Sequence, residues 1–235
     1  MTFTILGRDE DTGELGIGIA TYSLAVGATC PLVISGIAVT TSQASTNPEI
    51  NEQIMKLIEG RKSPSEAFNQ ALKKDAHPEF RQVALLGSKG EAIVHSGVKI
   101  KPVSGHLQGT RCIAIGNFLS NEEVLPAMID SFEKRRHGTQ LGERLISSLE
   151  SGKSAGGQSS IDGEPLTERS AALTIAAPDQ PFPIDIRIDV SDDAIPELRH
   201  AFIRYREMHD FYLRRAANPI DLPSQDEWER QQLTV

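Results

Sequence analysis

The chain has 235 residues, and its 24 lysines and arginines stand against 32 aspartates and glutamates for a formal net charge of -8. That balance disfavours non-specific binding to nucleic acid or an anionic membrane, because neutralising phosphate takes clustered basic side chains. A domain of this length buries about 70% of its unfolded surface and needs no disulfide or metal staple; the two cysteines, Cys30 and Cys112, make no disulfide framework and read as buried thiols.

Met1 to Arg8 is a short β-rich run. Asp9-Glu10-Asp11-Thr12-Gly13 has turn chemistry, acidic residues for Asx-turns and a glycine for positive φ. In Glu14 to Thr21, Leu15, Ile17 and Ile19 alternate with Gly16, Gly18 and Ala20. Together the two runs predict an opening β-hairpin with one bulky face and one nearly bare, the bare face meeting another layer or a ligand closely. Gly36 to Gln43 predicts a third strand. Ile50, Ile54, Leu57 and Ile58 recur at helical spacing from Pro48 to Glu59, and Gly60 ends that helix. Ser63-Pro64-Ser65-Glu66 is a capping box that starts a second helix through Phe68, Ala71 and Leu72.

Arg81 to Gly87 and Glu91 to Ser96 predict strands joined by the hairpin signal Ser88-Lys89-Gly90. Thr110 to Ile115 is a further strand that ends at Gly116-Asn117. Ser120-Asn121-Glu122-Glu123 reads as a second capping box, opening a helix through Val124, Leu125, Met128, Ile129 and Phe132. The basic run Lys134-Arg135-Arg136-His137 suits that helix's C-terminal dipole. Thr139 to Leu149 predicts another helix, and Ser151 to Arg169 a long polar loop of the mobile or functional kind. Ala171 to Ala177 and Ile184 to Val190 form a late strand pair. Pro196 to Arg215 is an amphipathic helix carrying Leu198, Phe202, Tyr205, His209 and Tyr212. Residues 218–235 read as a polar arm with Trp228, lying on the surface or reaching a partner subunit, after a single domain over 1–217.

Hairpins flanking helix pairs predict an α+β protein with largely antiparallel sheets, arranged as a four-layer α-β-β-α sandwich. No apolar run approaches the ~20 residues of a membrane span, and no basic n-region precedes an apolar segment. The expectation is a cytoplasmic protein that forms a homodimer through the last long helix and its tail.

A strand opening at Thr2, a glycine-rich second strand, a third strand, two helices and a return hairpin resemble the start of proteasome β-subunits and other N-terminal-nucleophile hydrolases. More closely, Thr2-Phe3-Thr4-Ile5, Arg8-Asp9, Thr12-Gly13-Glu14-Leu15-Gly16, Leu24-Ala25-Val26-Gly27, Gly116-Asn117 and Ala155-Gly156-Gly157 resemble a bacterial family catalogued as a domain of unknown function, DUF1028, grouped with that fold. The resemblance spans residues 2–200 and implies the fold without naming an activity.

If the hydroxyl of Thr2 is the nucleophile, its own α-amine must be the base. Such an amine titrates at about 7.7–8.0 and can take the hydroxyl proton, once Met1 is removed. Asn117 is the candidate oxyanion donor, although Asn after Gly is also ordinary turn chemistry. Thr21 stands where the resemblance places the nucleophile's acidic partner, and can orient the amine but not act as a carboxylate. Ser23, Gln43, His106 and Ser170 are candidate substrate-binding residues. Arg8-Asp9, about 20 Å along the strand from Thr2, reads as a surface turn pair. The third strand lacks the lysine of proteasome-like sites, the histidines show no metal-ligand spacing, and no Gly-x-Ser-x-Gly elbow is present. No metal or other cofactor is expected. The two readings are an amide hydrolase of a small metabolite and a non-catalytic binding or assembly protein on the same scaffold.

Overall fold

The computed structural model describes residues 1–134 and 139–232; Arg135, Arg136 and His137 of the basic run lie outside the described residues. In chain order the strands and helices are β1 (Thr2–Arg8), β2 (Leu15–Thr21), β3 (Pro31–Ile34), β4 (Ala38–Ala44), α1 (Pro48–Glu59), α2 (Pro64–Lys74), β5 (Arg81–Gly87), β6 (Ala92–Ser96), β7 (Ser104–Gly109) and β8 (Cys112–Asn117). They continue with α3 (Val124–Lys134), α4 (Leu141–Ser154), β9 (Gln158–Ser159), β10 (Pro165–Leu166), β11 (Ser170–Ala176), β12 (Ile184–Ile188), α5 (Ala194–Ala217) and α6 (Gln225–Gln232).

Two sheets carry the structure. One has six strands in the order β12-β11-β2-β1-β8-β7, the other four in the order β3-β4-β5-β6, and β9 and β10 form a separate small pair. Strand pairing among the described residues is antiparallel. The result is a mixed α/β protein with antiparallel sheets, and β1 is bonded on both sides rather than lying at an edge.

The period-2 pattern of β1 sorts its side chains to two faces. Phe3 and Ile5 join one core with Phe132 and Met128 of α3, Leu145 and Leu149 of α4, and Leu198 and Phe202 of α5. Leu6, with Leu15 and Ile17, packs on the other side against Val39, Ala84 and Leu86 of the four-stranded sheet. A third core lies between that sheet's Ala38, Val83 and Leu85 and the apolar faces of α1 and α2, where Ile50, Ile54, Met55 and Phe68 sit.

The bare face of β2 is where α4 comes down. A Cβ at Gly16 would lie 2.8 Å from Leu145 Cδ1 and 3.1 Å from the Thr174 carbonyl oxygen. The glycine therefore sets the helix–sheet distance, as the alternation in the sequence implied. Gly16→Val is expected to cost about 1–3 kcal/mol by overpacking, read as a lower denaturant midpoint; an unchanged midpoint would show that α4 moves freely to make room.

Several boundaries differ from the sequence reading. The capping box at Ser63 forms as expected. At Ser120 no such box closes: the hydroxyl accepts from Asn121 Nδ2, and it is Asn121 Oδ1 that takes the Glu123 N–H at 2.8 Å. Helix α4 runs on to Ser154, so the long loop begins later, and it contains β9 and β10. Strands β3 and β7 went unread; β7 is largely exposed and polar, with neither apolar alternation nor a propensity run. The polar arm contains α6, held to α5 by Trp228, whose ring lies 5.4 Å from that of Phe211. Arg8-Asp9 is more than a surface pair. Asp9 Oδ2 meets Arg144 Nη1 at 3.2 Å, and the Arg144 side chain is 2% exposed. Among the described residues no helix is long and apolar enough to cross a membrane.

Candidate functional site at the end of the six-stranded sheet

Strand register assembles the site. Thr2 is the partner of Thr21 on β2 and of Asn117 on β8; Thr21 is in turn the partner of Ser170 on β11, and Asn117 of Ser104 on β7. Directly opposed residues of antiparallel strands share a face. Ser170, Thr21, Thr2, Asn117 and Ser104 therefore form one row across the end of the sheet, on the face turned toward β4 and β5. Asn117 is the last residue of its strand rather than part of the turn behind it.

The hydroxyls in this row have defined partners. Thr21 Oγ1 donates to the Met1 carbonyl oxygen, accepts the Ser23 N–H at 3.3 Å, and lies 3.1 Å from Thr2 Oγ1. A hydroxyl has one proton. With that of Thr21 committed to Met1, Thr2 is the donor between the two. Ser170 Oγ donates to the Ser23 carbonyl at 2.8 Å and accepts from the Val26 N–H at 3.1 Å, so it shapes the loop after β2. Ser23 is exposed in that loop.

Gln43 reaches the row from the other sheet. Its Oε1 accepts from Thr4 Oγ1 at 2.7 Å, and its Nε2 donates to Gln82 Oε1 at 2.9 Å. Gln82 also receives Asn117 Nδ2 at 3.0 Å, while Asn117 Oδ1 is buried without a partner among the described residues. His106 stands apart: it lies across from Ile115 on exposed β7, its Nδ1 3.3 Å from Ser96 Oγ.

Gln82 was not singled out in the sequence, although one signal was there. It is a fully buried amide in a strand whose next four residues, Val83, Ala84, Leu85 and Leu86, are apolar. The segment after α4 also contributes. Gln158 accepts the Tyr22 N–H at 3.1 Å and donates to Glu168 Oε1 at 3.3 Å. The buried Glu168 pairs with Lys153 Nζ at 3.2 Å, and the Arg169 N–H reaches the Thr21 carbonyl at 2.8 Å. This segment is thereby tied to the end of β2. Among the described residues no group of His, Cys, Asp or Glu is placed to hold a metal ion.

With Met1 attached, the nitrogen of Thr2 is an amide. The free amine belongs to Met1, and burial pushes its pKa from 8.0 down to about 6, slightly opposed by nearby Cys30. The unfolded chain then binds more protons than the folded one between pH 6 and 8, so stability rises with pH across that window, by on the order of 2–3 kcal/mol. The urea midpoint of the Met1 chain is expected to climb from pH 6 to pH 8 more steeply than that of an N-acetylated one; parallel profiles would place the amine in solvent.

A cavity of 530 Å³ opens elsewhere, between the β1–β2 turn and α5, lined by Asp9, Glu14, Leu141, Phe202, Arg206 and His209 among others. It lies about 20 Å away, at the opposite end of β1, and Thr2 is not among its lining residues.

Comparison with known proteins adds to this geometry. The family model described as a family of unknown function, DUF1028, matches residues 2–198. The chain belongs to the DUF1028 family. A crystal structure of a DUF1028 protein from Silicibacter pomeroyi is similar, with a TM-score of 0.77 at 27% identity, covering 87% of this chain and 85% of that one. Anbu, an ancestral β-subunit, from Yersinia bercovieri gives a TM-score of 0.41 at 12% identity over 94% of this chain and 98% of its own. An Anbu mutant from Hyphomicrobium sp. strain MC1 gives 0.43 at 15% identity over 89% and 96%. At those scores neither Anbu structure carries an argument about this DUF1028 chain. No curated protein matches it.

Proposed function

We propose that this DUF1028 protein is an N-terminal-nucleophile amide hydrolase of a small metabolite, built as a four-layer α-β-β-α sandwich and acting through Thr2 once Met1 is removed. The observation that carries the reading is the position of Thr2. Its hydroxyl sits on a central strand, 3.1 Å from Thr21 Oγ1, in a row of hydroxyl and amide side chains. Loss of Met1 turns the Thr2 nitrogen into an amine and releases Thr21 from the Met1 carbonyl. The amine then takes the Thr2 hydroxyl proton, directly or through a water, as Oγ1 attacks the substrate carbonyl. An N–H of Asn117 not used on Gln82 supports the oxyanion. Collapse expels the leaving amine, which takes the proton back from the α-ammonium, and leaves an ester on Thr2. Water, deprotonated by the same amine, hydrolyses the ester and frees the acid.

The reading of a non-catalytic binding protein rests on Thr21, an uncharged hydroxyl at the nucleophile's side. Intact mass of the purified protein, before and after treatment with a β-lactone that acylates nucleophilic hydroxyls, decides between them. The hydrolase reading expects a chain that begins at Thr2 and gains one acyl group there. Uniform retention of Met1 in the native source, or a Thr2-initiated chain that stays unmodified, would favour the binding protein.

A further inference from the structure

The amides beside Thr2 are locked in orientation, and Gln82 holds the lock. Its Nε2 faces the carbonyl oxygens of Gly105 at 3.1 Å and Gly116 at 2.9 Å, with Ser96 Oγ at 3.3 Å. Main-chain carbonyls only accept, so the nitrogen must face them and Gln82 Oε1 must point the other way. Both groups that meet Oε1 must therefore donate: Gln43 Nε2 at 2.9 Å and Asn117 Nδ2 at 3.0 Å. Gln43 is left with its oxygen toward Thr4, and Asn117 with its oxygen turned away from Gln82. Asn117 is 1% exposed, and this oxygen has no partner among the described residues. An unmet buried acceptor costs about 1–3 kcal/mol; here it stands in the row position directly opposite Thr2.

We propose that Gln82 is a positioning residue that fixes Asn117 as an acceptor, and that Asn117 Oδ1 receives a hydrogen bond from the α-ammonium of a chain beginning at Thr2. The assignment rests on the reading of Thr2 as nucleophile and gives Asn117 a second task besides the oxyanion. An acceptor stabilises the charged amine and so offsets the weakening that burial imposes on a base. Around the N-terminus, Cys30 is the titratable group that acts on the amine of Met1; Thr21, Gln43 and Gln82 carry no charge.

The test follows the NMR shifts of Thr2 against pH in the Thr2-initiated chain, prepared through a cleavable N-terminal fusion where Met1 is retained. Asn117→Leu removes the acceptor, and Gln82→Leu removes the lock while leaving Asn117 in place. Both are expected to weaken the proton affinity of the Thr2 amine by about tenfold, whereas Asn117→Asp keeps an acceptor and holds or raises it. If Asn117→Leu does not fold, Asn117→Ala carries the same measurement. An amine that titrates alike in wild type and Asn117→Leu overturns the proposal, and a shift with Asn117→Leu but not with Gln82→Leu removes Gln82 from it. The reading of Thr2 is judged separately, by whether the wild-type chain forms the β-lactone adduct.

Discussion

Thr2→Ala is expected to abolish β-lactone acylation and to lower amide hydrolysis by up to about a million-fold, the loss seen when a hydrolase nucleophile is removed. The same substitution is expected to cost only about 1–2 kcal/mol of stability. It deletes a buried γ-methyl, worth about 0.8 kcal/mol, and a hydroxyl whose hydrogen bond to Thr21 contributes about 0.5–1.5 kcal/mol, while the β1 register with β2 and β8 is main-chain bonding that alanine keeps. Thr2→Ser retains the nucleophile and should retain the adduct. The pair separates chemistry from folding: adduct formation on Thr2→Ala, checked by intact mass, would move the nucleophile elsewhere. The effect exists only in chains that begin at Thr2, since the amide nitrogen of a Met1 chain is no base.

Phe132→Ala is expected to have the largest effect on stability, about 3–5 kcal/mol for truncating a buried aromatic ring. Phe132 is fully buried at the junction of α3, β1 and α4. Its ring fills the space above Gly7, where a Cβ would lie 2.6 Å from Phe132 Cζ, and the guanidinium of Arg144 sits 4.0 Å from its centre. Truncation opens a cavity and strips the stacking surface from a buried cation, so the neighbours cannot simply collapse inward. Guanidinium unfolding of the variant measures the loss; a cost below about 1 kcal/mol would mean that α3 closes the gap.

The elements legible in the sequence are those whose pattern is local. The Ser63 capping box and the alternation of Leu15, Ile17 and Ile19 with glycines each place a helix start or a strand face within a few residues, because backbone geometry alone decides them. The polar edge strand β7 escaped for the converse reason: it is held by partners distant in sequence, chiefly its pairing with β8, and carries no pattern of its own. The Ser120 box failed because its residue types fit two hydrogen-bonding schemes, and Asn121 competes for the cap.

For the site, the sequence by itself determined the chemistry that each residue can bring: a hydroxyl at the second position, a second hydroxyl ending β2, amides at Gln43 and Asn117. The tertiary structure alone decided which of them meet. Thr2, Thr21, Asn117 and Ser170 share a row because four strands stop in register, while His106, equally plausible as a residue type, falls on an exposed edge. Gln82 acquires its role from two main-chain carbonyls on β7 and β8. Such contacts span the gap between two sheets, and a linear pattern holds no record of which donor faces which acceptor across that gap.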